Sequence, residues 1–290
     1  MALLRDLDFE PAISRSIRRY RVLHTAPLNF ALTPVGNTPS IMRQLQTRHI
    51  LLFRILRDHC SFLTRRQVER VLTLSRVSTT KTLLWMLSEL YLTRRYRADS
   101  FAHFQTPVYY LGRRGWLVVG KPLSEYREYR LQIEQRSERT FEHTLSLYDV
   151  ILKFALESEV RRIVPGDDKL WQEAIEFGNI PDAWIQFNGG EAFIEVDLGT
   201  EHLPVLKKKF DNYTAFKESG RYDALFPGCA FKVLVLAKDE DRIEALERLT
   251  QSDDFWFCTT KEFVRESLTH EHWFAPLGFY ALPASAQKEV

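Results

Sequence analysis

The sequence predicts an α/β protein of more than one domain, with a helical, basic front and a second part built around a mixed sheet. Three observations support this. Three short apolar-striped segments precede two strand-like runs between residues 48 and 111, and helical and strand patterns alternate beyond residue 141. The charge also divides: residues 1–140 carry 24 Lys and Arg against 11 Asp and Glu, and the remainder 16 against 27. At 290 residues, two domains is the better expectation. Such asymmetry implies a nucleic-acid-binding front and a different task behind it.

No apolar run approaches the roughly 18–20 residues that cross a bilayer, and MALLRDLDFEPAIS has early acids and no apolar signal core. Cys60, Cys229 and Cys258 are odd in number and far apart, which suits buried reduced thiols and not a disulfide or zinc framework. The expectation is a soluble cytoplasmic chain with no membrane partner.

Residues 1–47 lack periodicity and read as an arm, with a basic stretch at Arg15 to Arg21. His49 to His59 is helical, with Ile50, Leu51, Phe53, Ile55 and Leu56 as its apolar stripe. Thr64 is placed to cap a second helix bearing Val68, Val71 and Leu72. Ser78 is placed to cap a third, Thr79 to Tyr91, with Leu83, Leu84, Met86, Leu87 and Leu90 inward. Three short helices with a tight turn before the last match a helix-turn-helix. Leu92 to Tyr96 and Val108 to Leu111 then read as strands joined by an irregular loop, and Gly112 to Gly120 as a helix or turn.

That order resembles a winged helix, and VYYLGRRGWLVV resembles its second wing strand and following helix. In this geometry the third helix enters the major groove and the wing touches backbone or minor groove. Arg76, Ser78, Thr79, Thr80 and Lys81 would stand at the entering end, and Arg94, Arg95, Arg97, Arg113 and Arg114 would neutralise phosphates. A winged helix used for protein contact is the alternative.

Residues 48–120 form the winged-helix domain in this reading, 121–140 a charged linker helix, 141–282 the second domain and 283–290 a loose tail. The second domain opens with a mostly buried helix, Phe141 to Leu156, and a strand at Arg162 to Val164. Trp171 to Phe177 leads to a hairpin whose turn is Asn188-Gly189-Gly190. With Gly189-Gly190 as a two-residue loop, Asn188 faces Glu191 and Asp182 faces Asp197. Strand side chains alternate, so Asp182, Glu195 and Asp197 share one face. The helix Leu203 to Phe216 turns Leu206, Phe210 and Tyr213 inward and projects Lys207, Lys208, Lys209 and Lys217. Phe231 to Ala237 suits a buried strand. Asp239 to Leu249 reads as an amphipathic helix, Phe255 to Thr259 as the last strand and Lys261 to Ser267 as a short helix.

Pro181-Asp182, the strand FIEVD and the helix after it make this half resemble the PD-(D/E)xK nuclease core, an α/β sandwich around a mixed sheet. The resemblance implies that Asp182 and Glu195, with Asp197 beside them, would hold a divalent cation, Mg²⁺ or Mn²⁺, that activates water. The residue two after Glu195 departs from the pattern: a lysine is expected and Asp197 stands there. Lys207, Lys208 or Lys209 on the next helix could replace it. A purely structural role for the trio also fits, with the EVD end followed by Gly199-Thr200-Glu201 meeting local backbone donors and capping the next helix.

Taken together, YYLGRRG, the PDAW strand and EVDLGTE with the following Lys and Tyr make residues 45–265 resemble the replication-relaxation family of plasmids and mobile elements. The resemblance implies a DNA-binding accessory protein of replication or relaxation, with double-stranded DNA and replication or relaxosome proteins as partners; a winged helix that binds a palindrome would also pair with a second copy of the chain. His143 matches a histidine of that family's helix before the strands, with no chemistry assigned. Asp197 at the lysine position favours a nuclease-like domain that does not cleave. An active Mg²⁺-dependent endonuclease and a transcriptional regulator of a mobile element are the alternatives. No phosphate-binding loop or dinucleotide fingerprint is present. His270 and His272 are the only close pair of histidines, against a tyrosine relaxase with a histidine triad.

Overall fold

The computed structural model describes residues 44–96, 107–157, 160–166, 178–187, 190–228, 230–265, 273–275 and 278–280. The arm, Arg97, Trp171 to Phe177, Asn188-Gly189, Cys229, His270, His272 and the tail lie outside them. Leu45–Val290 form one compact unit.

The front begins with α1 (Thr47–Asp58), β1 (Leu63–Thr64), α2 (Arg65–Leu72) and α3 (Arg76–Ser88). Thr64 caps α2 as expected: it accepts the Gln67 N–H, and the Gln67 side chain reaches back to the Thr64 N–H. The cap of α3 is Ser75, not Ser78, because Ser75 Oγ accepts the Ser78 N–H and carries the helix three residues further towards its N-terminus. Those three added residues are exposed, so no apolar rhythm marks them. Phase also corrects the inner face of α3. Thr79, Leu83 and Met86 are buried, which turns Leu84 outward, while Leu90 lies past the helix end at φ 58°, and both are exposed.

β2 (Leu92–Tyr96) and β3 (Pro107–Leu111) are antiparallel, and β1 pairs with the other edge of β3, giving the order β1-β3-β2. β1 is too short to show in the sequence. Next come α4 (Arg113–Val118) and α5 (Leu123–Glu134). The two glycines of LGRRG let the start of α4 lie against the backbone after α3. A Cβ on Gly115 would stand 2.1 Å from the Tyr91 carbonyl oxygen, and one on Gly112 2.4 Å from that of Leu90. α5 packs on this front: Tyr129 stacks on Trp116, accepts the Leu111 N–H and donates to the Ser61 carbonyl.

α6 (Glu138–Glu157) ties the front to the sheet. Gln67 donates to its Leu145 carbonyl at 3.0 Å, Arg70 pairs with Asp149 at 2.9 Å and the Tyr148 hydroxyl accepts the Ser61 N–H.

The sheet contains β4 (Val160–Pro165), β5 (Ala183–Phe187), β6 (Gly190–Asp197), β7 (Val233–Ala237), β8 (Phe255–Thr259), β9 (Trp273–Ala275) and β10 (Gly278–Tyr280), in the order β10-β9-β8-β7-β6-β5-β4. β6, β7 and β8 run parallel and the other pairs antiparallel, a mixed sheet as expected. β8 is not the last strand, since β9 pairs with it and β10 with β9. The crossovers carry α7 (Leu203–Glu218) and α8 (Arg221–Leu225), then α9 (Glu240–Glu247), and α10 (Thr260–Arg265) follows β8. One face, with Ala192, Ile194, Val196 and Leu234, packs in a core shared with α6 and the front. The other, with Trp184, Phe193, Val233 and Phe255, packs against Leu206, Phe210 and Tyr213 of α7 and Ile243 of α9. Among the described residues no helix is long and apolar enough to cross a membrane.

The hairpin register differs from the expected one by two residues. Phe187 pairs with Gly190 and Gln186 with Glu191, which brings Gln186 Nε2 to 2.9 Å from Glu191 Oε1. One rung further, Asp182 falls level with Glu195 instead of Asp197. A shift of two preserves the face, so the three carboxylates remain on one side.

Candidate functional site

Asp182, Glu195 and Asp197 meet at the C-terminal end of β6, on the face covered by α7 and α9. Asp182 precedes β5. Its carbonyl accepts the Gly166 N–H, an approach only glycine permits there, because a Cβ on Gly166 would stand 2.1 Å from the Pro181 oxygen. Asn179 donates to the Lys209 carbonyl at 2.6 Å, and Asn212 donates to Asn179 Oδ1 at 2.9 Å, pinning this segment to α7. With Asp182 held there, its Oδ2 accepts the Val196 N–H at 2.7 Å.

Each carboxylate has its own basic partner, and each partner comes from a different helix. His143 of α6 places Nε2 3.2 Å from Asp182 Oδ2 and 3.0 Å from the Val196 carbonyl. That carbonyl can only accept, so Nε2 carries the proton. Lys209 of α7 places Nζ 2.5 Å from Glu195 Oε2, and the Tyr213 hydroxyl, one turn on, donates to Glu195 Oε1. Arg242 of α9 donates through Nε to Asp197 Oδ2 at 2.6 Å and through a terminal nitrogen to the Glu201 carbonyl. Asp197 Oδ1 accepts the Gly199 N–H, the local backbone role the sequence suggested.

Glu195 and Asp197 are buried, so desolvation weighs on their charge. Burial, then the Asp182 charge, push the Glu195 carboxyl up to about 7, with Lys209 and Tyr213 opposing. The Asp182 hydrogen bond holds His143 above its ordinary value against its own desolvation. Burial works against the Lys209 ammonium, but Glu195 and Asp182 outweigh it and raise its pKa. Desolvation and Glu195 raise Tyr213.

The Glu195 and His143 shifts have the same sign for stability. A group that holds its proton more tightly when folded lends stability that is complete below its unfolded pKa and lost as pH rises through its folded one. For Glu195 the window runs from its ordinary 4.5 to about 7, and for His143 it extends upward from 6.5. Unfolding free energy measured in urea should therefore fall as pH is raised from about 5 to about 8. His143→Gln should flatten the upper part of that fall.

His143, Asp182, Glu195, Asp197 and Lys209 line a cleft of about 50 Å³. That volume holds a water or two. A hard divalent cation would suit the carboxylate oxygens in type. Five of the six oxygens, however, already accept: Asp182 Oδ2 from the Val196 N–H and His143, the Glu195 oxygens from Tyr213 and Lys209, and the Asp197 oxygens from the Gly199 N–H and Arg242. Among the described residues no group of three His, Cys, Asp or Glu is arranged to hold a metal ion. This arrangement does not fit the metal that the nuclease resemblance implies.

Of the lysines read as site residues, Lys209 enters the cleft, whereas Lys207 pairs with Asp211 on the outer surface of α7. The expectation that Lys209 projects outward is corrected: its side chain is 20 % exposed. Arg242 was missed, because its contact spans 45 residues and leaves no local mark.

On the front, Arg76, Ser78, Thr80, Lys81, Arg94, Arg113 and Arg114 are exposed, and Thr79 is buried against the core. Arg114 is engaged, paired with Glu89 at 2.6 Å and lying over the Tyr91 ring. Arg95 is an internal strut: it donates to the Ile133 and Arg136 carbonyls and stacks on Phe141. Arg76, Lys81, Arg94 and Arg113 form no ion pair among the described residues.

No curated protein and no solved structure matches the chain. Residues 53–228, a stretch that starts within α1 and takes in the three carboxylates, His143 and Lys209 yet stops short of Arg242, match the model of a family described as replication-relaxation, and the chain belongs to that family.

Proposed function

We propose that this replication-relaxation protein is a DNA-binding accessory protein that acts on duplex DNA of a plasmid or mobile element without cutting it. Residues 48–120 serve as a winged helix, with α3 for the major groove and the β2–β3 hairpin as the wing. The helix–strand–helix–helix–strand–strand order, the sheet order β1-β3-β2 and the exposed Arg76, Lys81, Arg94 and Arg113, which form no ion pair among the described residues, support this. Residues 121–140 bridge to a nuclease-like domain, 141–282, which serves as scaffold.

The observation that carries the non-cleaving part is the one-to-one match of Asp182, Glu195 and Asp197 with His143, Lys209 and Arg242. Carboxylates so compensated have little left to offer a cation. One observation favours an active endonuclease instead: Lys209 stands against Glu195, supplying from α7 the lysine that position 197 lacks.

Supercoiled plasmid incubated with the full chain and Mg²⁺ or Mn²⁺ separates the two readings, with a gel shift across a salt series alongside. The expected result is retained duplex, affinity falling with salt and no nicking. Nicking that disappears in Lys209→Ala would establish the endonuclease, and failure to retain duplex would remove the DNA reading. Arg94→Glu should weaken binding and lower the salt slope by about one. Arg95→Ala should instead cost about 2–3 kcal/mol of stability through its two charge-assisted bonds and ring contact, read by urea unfolding.

A further inference from the structure

We propose that α3 recognises thymine methyl groups in the major groove through Val77 and Leu84. This rests on the DNA-binding reading above and adds what the helix would distinguish.

With Thr79, Leu83 and Met86 turned into the core, the opposite arc of α3 holds Val77, Thr80, Lys81, Leu84 and Ser88, all exposed. Val77 is 64 % exposed and Leu84 58 %, although a helix of this register has no folding use for aliphatic groups there. The Thr80 hydroxyl donates to the Arg76 carbonyl at 2.9 Å, so its proton is committed and a methyl group remains to present. The arc contains no Arg, Asn or Gln, the side chains that read guanine or adenine through two hydrogen bonds. The Ser88 hydroxyl donates to the Trp85 carbonyl at 2.8 Å, so against base edges the arc offers aliphatic groups and the single ammonium of Lys81. In the major groove only thymine presents a methyl group.

The charges around the arc select the same occupant. Arg76, Lys81 and Arg94 are exposed and form no ion pair among the described residues. Duplex DNA supplies phosphates for them and methyl groups between the phosphates. Val77 and Leu84 are seven residues apart, about 10.5 Å along the helix axis, close to the rise of about three base pairs. The inferred preference is therefore for two T·A pairs about three steps apart.

The test is selection of duplexes from a random pool by the full chain, followed by replacement of thymine with uracil in the selected duplex, which removes only the methyl. The expected result is two thymines about three pairs apart, a loss of about fourfold for each uracil, and a Val77→Ser/Leu84→Ser chain that binds the thymine and uracil duplexes alike. Equal affinity of the unaltered chain for both duplexes would overturn the methyl inference and leave DNA binding standing. If no duplex is retained at all, both fall and the face is a protein contact. Both side chains are exposed, and unchanged circular dichroism of the double variant would confirm that folding is preserved.

Discussion

Lys209→Ala is expected to destabilise the protein by about 3–5 kcal/mol above neutral pH, the usual cost of leaving one partner of a buried ion pair alone. Glu195 is buried, accepts Tyr213 on its other oxygen and feels the charge of Asp182. Without the ammonium, two carboxylates face each other, and the basic group that remains beside them among the described residues is His143 on Asp182. Glu195 has an escape, because burial already pushes its carboxyl up to about 7 and the variant would raise it further. The loss should therefore shrink as pH is lowered and Glu195 takes a proton. Urea unfolding of the variant and the unaltered chain across pH measures both features. A loss that is small and independent of pH would mean that the pair is not buried as described.

Arg242→Ala should be comparably severe, about 3–5 kcal/mol, for a different reason. The Asp197 side chain is 5 % exposed and the Arg242 side chain 16 %. The guanidinium makes two bonds at once, to Asp197 Oδ2 and to the Glu201 carbonyl, and so ties the loop after β6 to the start of α9. A lysine offers a point charge in place of a planar fork. Arg242→Lys should thus recover the charge but not the second bond, and regain only part of the loss. Full recovery by lysine in the same unfolding measurement would show that only charge matters there.

Much of the acidic face was legible in the sequence because it depends on parity. Asp182, Glu195 and Asp197 stay together whether the register is placed correctly or two residues off, and only an odd slip would have parted them. Lys209 was legible in principle: it lies three residues after Leu206 and four before Tyr213, within the inward stripe of α7. Its charge suggested solvent, and the buried acid that overrides this preference lies on another strand. Arg242 follows the Asp239 cap like any surface residue of a first turn, and nothing near it signals an aspartate 45 positions earlier. In the front, Leu84 counted as apolar in a simple tally, but Thr79, Leu83 and Met86 define the buried arc of α3 and Leu84 lies outside it. Short β1 could be seen only once β3 was there to receive it.

The parallel pairing of β6 with β7 has a consequence for handling the protein. The family match ends at residue 228, before β7 begins at Val233. A fragment cut to the matched stretch would lose the central strand of the sheet. β6, buried from Ala192 to Asp197, would become a long apolar edge with open N–H and C=O groups. Such an edge templates pairing with other chains. A fragment of residues 53–228 is therefore expected to aggregate, which light scattering of that fragment would check.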